Sequence, residues 1–426
     1  MGLPPALDAA LPRGRRGVEA HGAPSRALRL ALAALLLLAP LASGSAAQRQ
    51  VVLSSPIFIW GEGYVPESAP IERAPDGSYR LTANAIFWSS YGIIINGSDV
   101  VLDGGGHFLL GPGSTIGLGI GILIAGATNV TVRDLEVSSF ETGIALVSAE
   151  LSTIEGAEIS DAKVGLVITN SSFNAVVGNS FSGCSVLIYS GSSNYFANNT
   201  ANGLPIVVID GAEGAELSGL SVGELVVVNS RRITISGLDV APGGSVGVEV
   251  YGSSDVSISY ALVRGQYYGL FVKDSSNVAV ARSAFVGNRY GAVVLSSSNV
   301  SVTSSDIYGN VEYGLYSDSP VVAVDDYWGS PAGPSVGNST GGDRIAGPVR
   351  YEPFSISPRL ALRTTTPWTP SRVTFTRSWR PPAGRPEVVA LLAAGCALLI
   401  LELISQLRAG GRRGARWMAA SLAQPA

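Results

Sequence analysis

Few residues in this chain could carry acid–base or metal chemistry, and their spacing says as much as their identity. The body of the chain holds a single histidine, His107, which ends the run Asp103-Gly104-Gly105-Gly106-His107. Asp325 and Asp326 are adjacent and are followed by Tyr327-Trp328-Gly329. Cleaving a glycosidic bond needs two carboxyl groups flanking it. Side chains of neighbouring residues in a strand point to opposite faces, so Asp325 and Asp326 do not make such a pair unaided. If the chain is a catalyst, Asp103, His107, Asp325 and Asp326 are the groups that would do the work. A lone histidine in a glycine-rich turn and an aspartate pair near the end of a repeat array read more simply as structure. Glu249 and Lys273 are expected on one outward face, one repeat apart, as a surface ion pair worth little. Cys184 and Cys396 lie in different kinds of segment, and no disulfide is expected between them.

A second set of residues is aromatic. Tyr268, Tyr290 and Tyr313 recur at spacings of 22 and 23, each just before a glycine. In stacked strands such residues form a column of rings about 4.8 Å apart, with Tyr251, Phe271 and Tyr316 expected nearby on the outward side. Columns of this kind can bind sugar rings, and they can equally be a structural stack that shields a corner.

What must position these residues is a repeat. From residue 91 to 335 one pattern returns about every 22 residues. Short apolar stretches begin after a glycine, as in Gly121-Ile122-Leu123-Ile124, Gly165-Leu166-Val167-Ile168 and Gly269-Leu270-Phe271-Val272. Residues 186–189, 206–209 and 225–228 fill the same slot without the glycine, giving eleven rungs. A second strand with strict alternation follows each turn, as in Asn277-Val278-Ala279-Val280, and a third apolar point comes at positions such as Val137, Phe181 and Ile307. Short strands with turns between them are best satisfied by coiling, so that each strand pairs with its copy in the next rung. The pattern therefore predicts a right-handed parallel β-helix with three parallel sheets, a core that includes Ile122, Leu166, Leu270 and Ala292, and an asparagine ladder through Asn288 and Asn310. Leucine-rich repeats share the period, but leucine is not the recurrent residue here.

The ends of the chain read differently. Residues 28–42 are apolar apart from Arg29 and Pro40, follow Arg13, Arg15, Arg16 and Arg26, and precede small residues. This is the pattern of a cleaved secretory signal within a leader of residues 1–47. Residues 48–90 are expected to cap the first rung, 336–358 to cap the last, and 359–387 to form a Thr-, Pro- and Arg-rich stalk. Residues 388–407 are apolar apart from Glu402 and long enough, at about 1.5 Å per residue, to cross a membrane as a helix. Residues 408–426 carry four arginines and no acid. The signal places the body outside the cell and the tail inside. Glycosylation sequons begin at Asn96, Asn129, Asn170, Asn198, Asn299 and Asn338. Charged residues are only 14%, mean hydropathy is +0.31 and formal net charge is -4, which gives no reason to expect a nucleic-acid partner.

Two end motifs extend the pattern: Val100-Val101-Leu102-Asp103-Gly104-Gly105-Gly106-His107 at the start, and Asp325-Asp326-Tyr327-Trp328-Gly329-Ser330-Pro331 at the close. With the repeats between them, they resemble the NosD-like right-handed parallel β-helix proteins of archaeal and bacterial surfaces, over roughly residues 79–358. In that family the closing motif usually opens with asparagine, which Asp326 replaces here. The resemblance implies the fold, and it also implies an accessory role in maturing a copper enzyme. Copper favours Cys, Met and His, and the body offers only Cys184 and His107, so neither a metal nor any other cofactor is expected. The reading that follows is a membrane-anchored, non-catalytic surface module that binds glycan or an envelope protein. A polysaccharide lyase or hydrolase on the same scaffold is the alternative.

Overall fold

The computed structural model describes residues 49–113 and 119–360, which belong to one compact unit. The leader, residues 361–387 of the stalk, the apolar segment 388–407 and the tail lie outside the described residues. Among the described residues no helix is long and apolar enough to cross a membrane.

The repeat coils as expected. The glycine-slot strands pair in parallel, each with its copy one rung on: Ile93 with Ile122, Ile122 with Ile144, and Ile144 with Leu166. Later in the chain Val248 pairs with Leu270, Leu270 with Ala292, and Ala292 with Leu315. The side chains at Ile122, Leu166, Leu270 and Ala292 have no exposed surface. The slot glycine is required by this stacking. A Cβ on Gly269 would lie 2.5 Å from the carbonyl oxygen of Gly291, and one on Gly291 would lie 2.5 Å from that of Gly314.

The expected second and third strands are present and are joined at the bend between them. They often run on as a single long strand such as Thr131–Ser138 or Ser254–Arg264. The bend is taken by a residue with positive φ at a recurrent place: Asp134, Tyr260, Arg282 and Ser304 lie between φ 48° and 54°. Each rung is therefore a slot strand plus a second and a third strand, which keep ladders of their own in rungs such as Thr153–Glu155 and Glu158–Ser160.

The stack is also interrupted once. The first slot sheet ends at Val186–Ile188. The chain then runs through Thr200–Ala201, reverses at Asn202-Gly203 and returns antiparallel as Leu204–Asp210. A new slot sheet starts there and continues through Glu224–Val228 and Val246–Tyr251. Two cores result. Ile206, Val226 and Val228 pack into the first, whereas Ile209, Leu225 and Val227 pack into the second. The first strands of the new sheet are thus buried on both faces and form a wall between two half-helices.

Leu270→Asp is expected to cost about 3–5 kcal/mol, because an unpaired carboxylate would be buried in the second core. Chemical denaturation checks this, and a loss below about 1 kcal/mol would contradict the stacked-core assignment.

Candidate functional site

One candidate carboxylate, Asp326, sits where a side chain must finish a row of hydrogen bonds. Inside the turns, polar side chains stack from rung to rung. The Gln266 amide N–H donates to Asn288 Oδ1 (2.9 Å), and the Asn288 N–H donates to Asn310 Oδ1 (2.9 Å). The Asn310 N–H and Nδ2 both donate to Asp343 Oδ2, at 2.9 and 2.7 Å. The expected Asn288–Asn310 ladder is present, and it ends on an aspartate. A serine ladder that the sequence reading missed runs beside it. The Ser283 N–H donates to Ser305 Oγ (3.1 Å), and the Ser305 N–H donates to Asp326 Oδ1 (2.7 Å). A third row passes through Asn174 and Asn194 to Asp210 Oδ2. The signal for the serine ladder was the 22-residue spacing of Ser283 and Ser305.

Asp326 is fully buried, with Oδ2 unpartnered. Burial pushes its carboxyl up to about 8, against the pull of the Ser305 amide. Asp325 points elsewhere: it has φ 61° and pairs with Arg359 at 3.5 Å. Asp103 is held by Arg133 (3.1 Å), Arg80 (3.3 Å) and the Gly105 amide (2.9 Å). Burial raises its carboxyl, but the Gly105 amide and the two guanidinium groups outweigh that and keep it below its ordinary value. His107 Nδ1 lies 3.0 Å from Asn84 Oδ1, across a strand pair. Asp103 and His107 thus belong to the first rungs and Asp325 and Asp326 to the last, and the fold does not bring the two sets together.

The expected surface ion pair is corrected by burial. Glu249 is fully buried, and Lys273 Nζ pairs instead with Asp274 at 3.2 Å. Lys273 also lies over the rings of Tyr189 (5.6 Å) and Tyr251 (5.3 Å). Cys184 is buried and free, and burial pushes its thiol up to about 12, so it is inert at neutral pH. Among the described residues no three His, Cys, Asp or Glu side chains gather as metal ligands would.

The tyrosine column exists. Tyr268 and Tyr290 stack at 5.3 Å, and Tyr290 and Tyr313 at 6.2 Å and 10°. The rings are only 5–7% exposed, and Phe271 is 2% exposed, so their faces are turned into an apolar cluster. Tyr251 and Tyr316 are half-buried. The accessible ring of this corner is the preceding residue, Tyr267, at 39%. Arg289 lies 4.9 Å over its ring and pairs with Glu312 at 3.3 Å. Tyr267, Arg289 and Glu312 each precede a member of the buried column, so they form a parallel column outside it. The six sequon asparagines are all exposed.

Residues 71–219 and 224–326 match the family described as the right-handed β-helix region. The chain belongs to the right-handed β-helix family. The family match leaves out residues 220–223, beside the wall between the two cores. No curated protein sequence matches this β-helix chain. Among solved structures it is similar to the periplasmic alginate epimerase AlgG, at 11% identity and TM-score 0.28, over 72% of this chain and 84% of that one. The mannuronan C-5 epimerase AlgE4 A-module of Azotobacter vinelandii gives 13% identity and TM-score 0.28, over 65% and 91%. The catalytic domain of a GH87 alpha-1,3-glucanase, in complex with nigerose, gives 15% and 0.27, over 64% and 60%. These likenesses concern the fold alone.

The ladder assignment of Asp326 predicts a pH dependence. Its folded carboxyl is raised, so its contribution to stability is greatest below the ordinary carboxylate range and is lost as pH rises to about 8. Asp326→Asn keeps an acceptor for the Ser305 amide and carries no charge. It should therefore be at least as stable as the parent near pH 8, with a flatter dependence of Tm on pH. A parent whose Tm rises from pH 5 to pH 8 relative to this variant would contradict the assignment.

Proposed function

We propose that this β-helix is a non-catalytic module of the cell exterior, anchored by residues 388–407, that binds extracellular glycan at the corner carrying Tyr267, Arg289 and Glu312. The observation that carries the reading is the exposed column itself. An aromatic ring, a guanidinium and a carboxylate stand on three successive rungs, with Arg289 and Glu312 side chains 49% and 39% exposed. A sugar ring can lie against an aromatic face while its hydroxyls exchange hydrogen bonds with charged neighbours. The buried tyrosines behind the column hold it flat and in register. A glycan fits better than a folded partner because the column repeats at strand spacing, about 4.8 Å, and suits an extended chain.

The catalytic alternative needs an acid or base within about 3 Å of the reacting atom. The candidate carboxylates are committed to amides and arginines at opposite ends of the coil. That support is specific: Asp103 and Asp326 each already accept hydrogen bonds in the folded protein.

Tyr267→Ala together with Arg289→Ala should weaken binding on a polysaccharide panel by about tenfold or more and leave Tm nearly unchanged. Ala substitution of Tyr268, Tyr290 and Tyr313 should instead destabilise the fold, since those rings are buried. Cleavage of any polysaccharide that is abolished by Asp103→Asn in a folded protein would sink the binding reading. For the anchor, protease added to intact cells should remove the body and leave residues 408–426 protected. Recovery of the full chain without detergent would refute it.

A further inference from the structure

At the wall between the two half-helices a sheet edge meets carboxyl groups in place of another strand. The first slot sheet stops at Val186–Ile188, so the amides of Val186 and Ile188 have no next rung to pair with. Glu224 and Glu249, on the outward face of the second slot sheet, occupy that position, and both are fully buried. Glu224 Oε2 accepts from the Val186 N–H at 3.0 Å. The Ile188 amide faces the Glu249 carboxyl group, but neither Glu249 oxygen has a well-formed hydrogen bond. Glu224 Oε1 and Tyr189 Oη, in the same joint, are also buried without a partner.

One further carboxyl reaches across the joint: the Asn194 N–H and Nδ2 donate to Asp210 Oδ2 at 3.0 and 3.3 Å, and burial raises Asp210 as well. Other polar contacts are neutral. Ser185 Oγ accepts from the amides of Ser245 (3.0 Å) and Val246 (2.8 Å), and Asn229 Nδ2 donates to the Gly191 carbonyl (2.6 Å). The only covalent link is the reversal at Asn202-Gly203. Strand pairing, which holds every other pair of rungs, is missing between Val186–Ile188 and the sheet that follows.

We propose that Glu224 and Glu249 are a proton-dependent latch that closes the two half-helices on each other when protonated and loosens the joint when ionised. Titratable groups face the pair from both sides. The first half contributes Cys184 and Tyr189, and the second contributes Tyr251, Tyr268 and Lys273. Lys273, the cation among these groups, is already paired with Asp274. Burial pushes Glu249 up to about 8, against the Ile188 amide and Lys273, and holds Glu224 well above the ordinary carboxylate range. Raised carboxyls stabilise the closed joint fully below their unfolded value of 4.5 and lose that contribution as pH rises to about 8. Two like charges in one dry joint then repel each other as well.

Hydrogen exchange tests this with the full chain carrying Asp326→Asn, which removes one further raised carboxyl; Asp210 and Asp343, also raised by burial, stay the same in parent and glutamine variants. After correction for intrinsic exchange rates, protection in residues 185–190 should fall by about tenfold or more between about pH 6 and about pH 9. Protection in residues 256–258, inside the second half, should stay constant. Glu249→Gln with Glu224→Gln, which keeps shape and acceptors without the charge, should abolish that fall and keep residues 185–190 protected at both pH values. Should the double variant not fold, the single Glu249→Gln is read in the same way, with at least half of the fall removed. Equal protection of residues 185–190 at both pH values in the parent would overturn the latch. So would a loss spread evenly along the chain, or one that persists in the glutamine variants.

Discussion

Everything in this molecule follows from one constraint: a rung's backbone can be satisfied only by another rung. Amide and carbonyl groups of each strand point along the coil axis, and a buried amide left unpaired costs about 1–3 kcal/mol. Within the stack the next strand supplies the partner. At turns, where strands lapse, asparagine and serine side chains supply it, donating and accepting in the same direction from rung to rung. The inward aliphatic column is a consequence of that register rather than its cause, because identical neighbours face each other once the backbone is paired.

A row of donors running one way must stop on a group that accepts and has nothing further to donate to. A carboxyl group accepts on its oxygens whether or not it is ionised, and three of the rows end on one: Asp210, Asp326 and Asp343. The slot sheet that stops early ends on Glu224 and faces Glu249. Several acids of this low-charge chain are therefore terminators, which explains why acids that resemble catalysts in the sequence are scattered along the coil and do not converge. The requirement carries an electrostatic cost. A terminator sits at the end of a dry row, so burial raises its carboxyl, and each row end becomes sensitive to protons.

The rungs were legible in the sequence because stacking imposes a strict demand at the slot glycine. A Cβ there would strike the next rung's carbonyl, so glycine marks the sites of continuous stacking. The joint was legible only in retrospect. Residues 186–189, 206–209 and 225–228 lack that glycine, and they flank the interruption. Leu225-Val226-Val227-Val228 also breaks alternation, as a strand buried on both faces should. Asn202-Gly203 is a hairpin turn signal within a parallel pattern. Spacing alone hid the break, because a displaced rung keeps nearly the same period. Burial of the tyrosine column was not legible either: an outward residue in a single coil is expected to be exposed, and nothing local reports that the outer face gathers Tyr268, Phe271 and Tyr290 into an apolar cluster of its own.

The same logic separates structure from recognition on this surface. Polar groups that hold the coil lie in the turns and recur with it, and their hydrogen-bonding capacity is spent on neighbouring rungs. A group available to a ligand must recur with the coil yet project from it. Tyr267, Arg289 and Glu312 do so: they share the register of the buried tyrosines, one residue earlier, and lie over that column on its solvent side, with the Tyr267 ring 4.6 Å from that of Tyr268 and 5.7 Å from that of Tyr290. Their contacts with one another leave substantial surface of each exposed. A β-helix needs no pocket to present such a column, since pairing along the axis already fixes the spacing. The rigidity that satisfies the backbone thus also sets the pitch of the surface, and a ligand matched to that pitch would bind with little ordering cost on the protein's side.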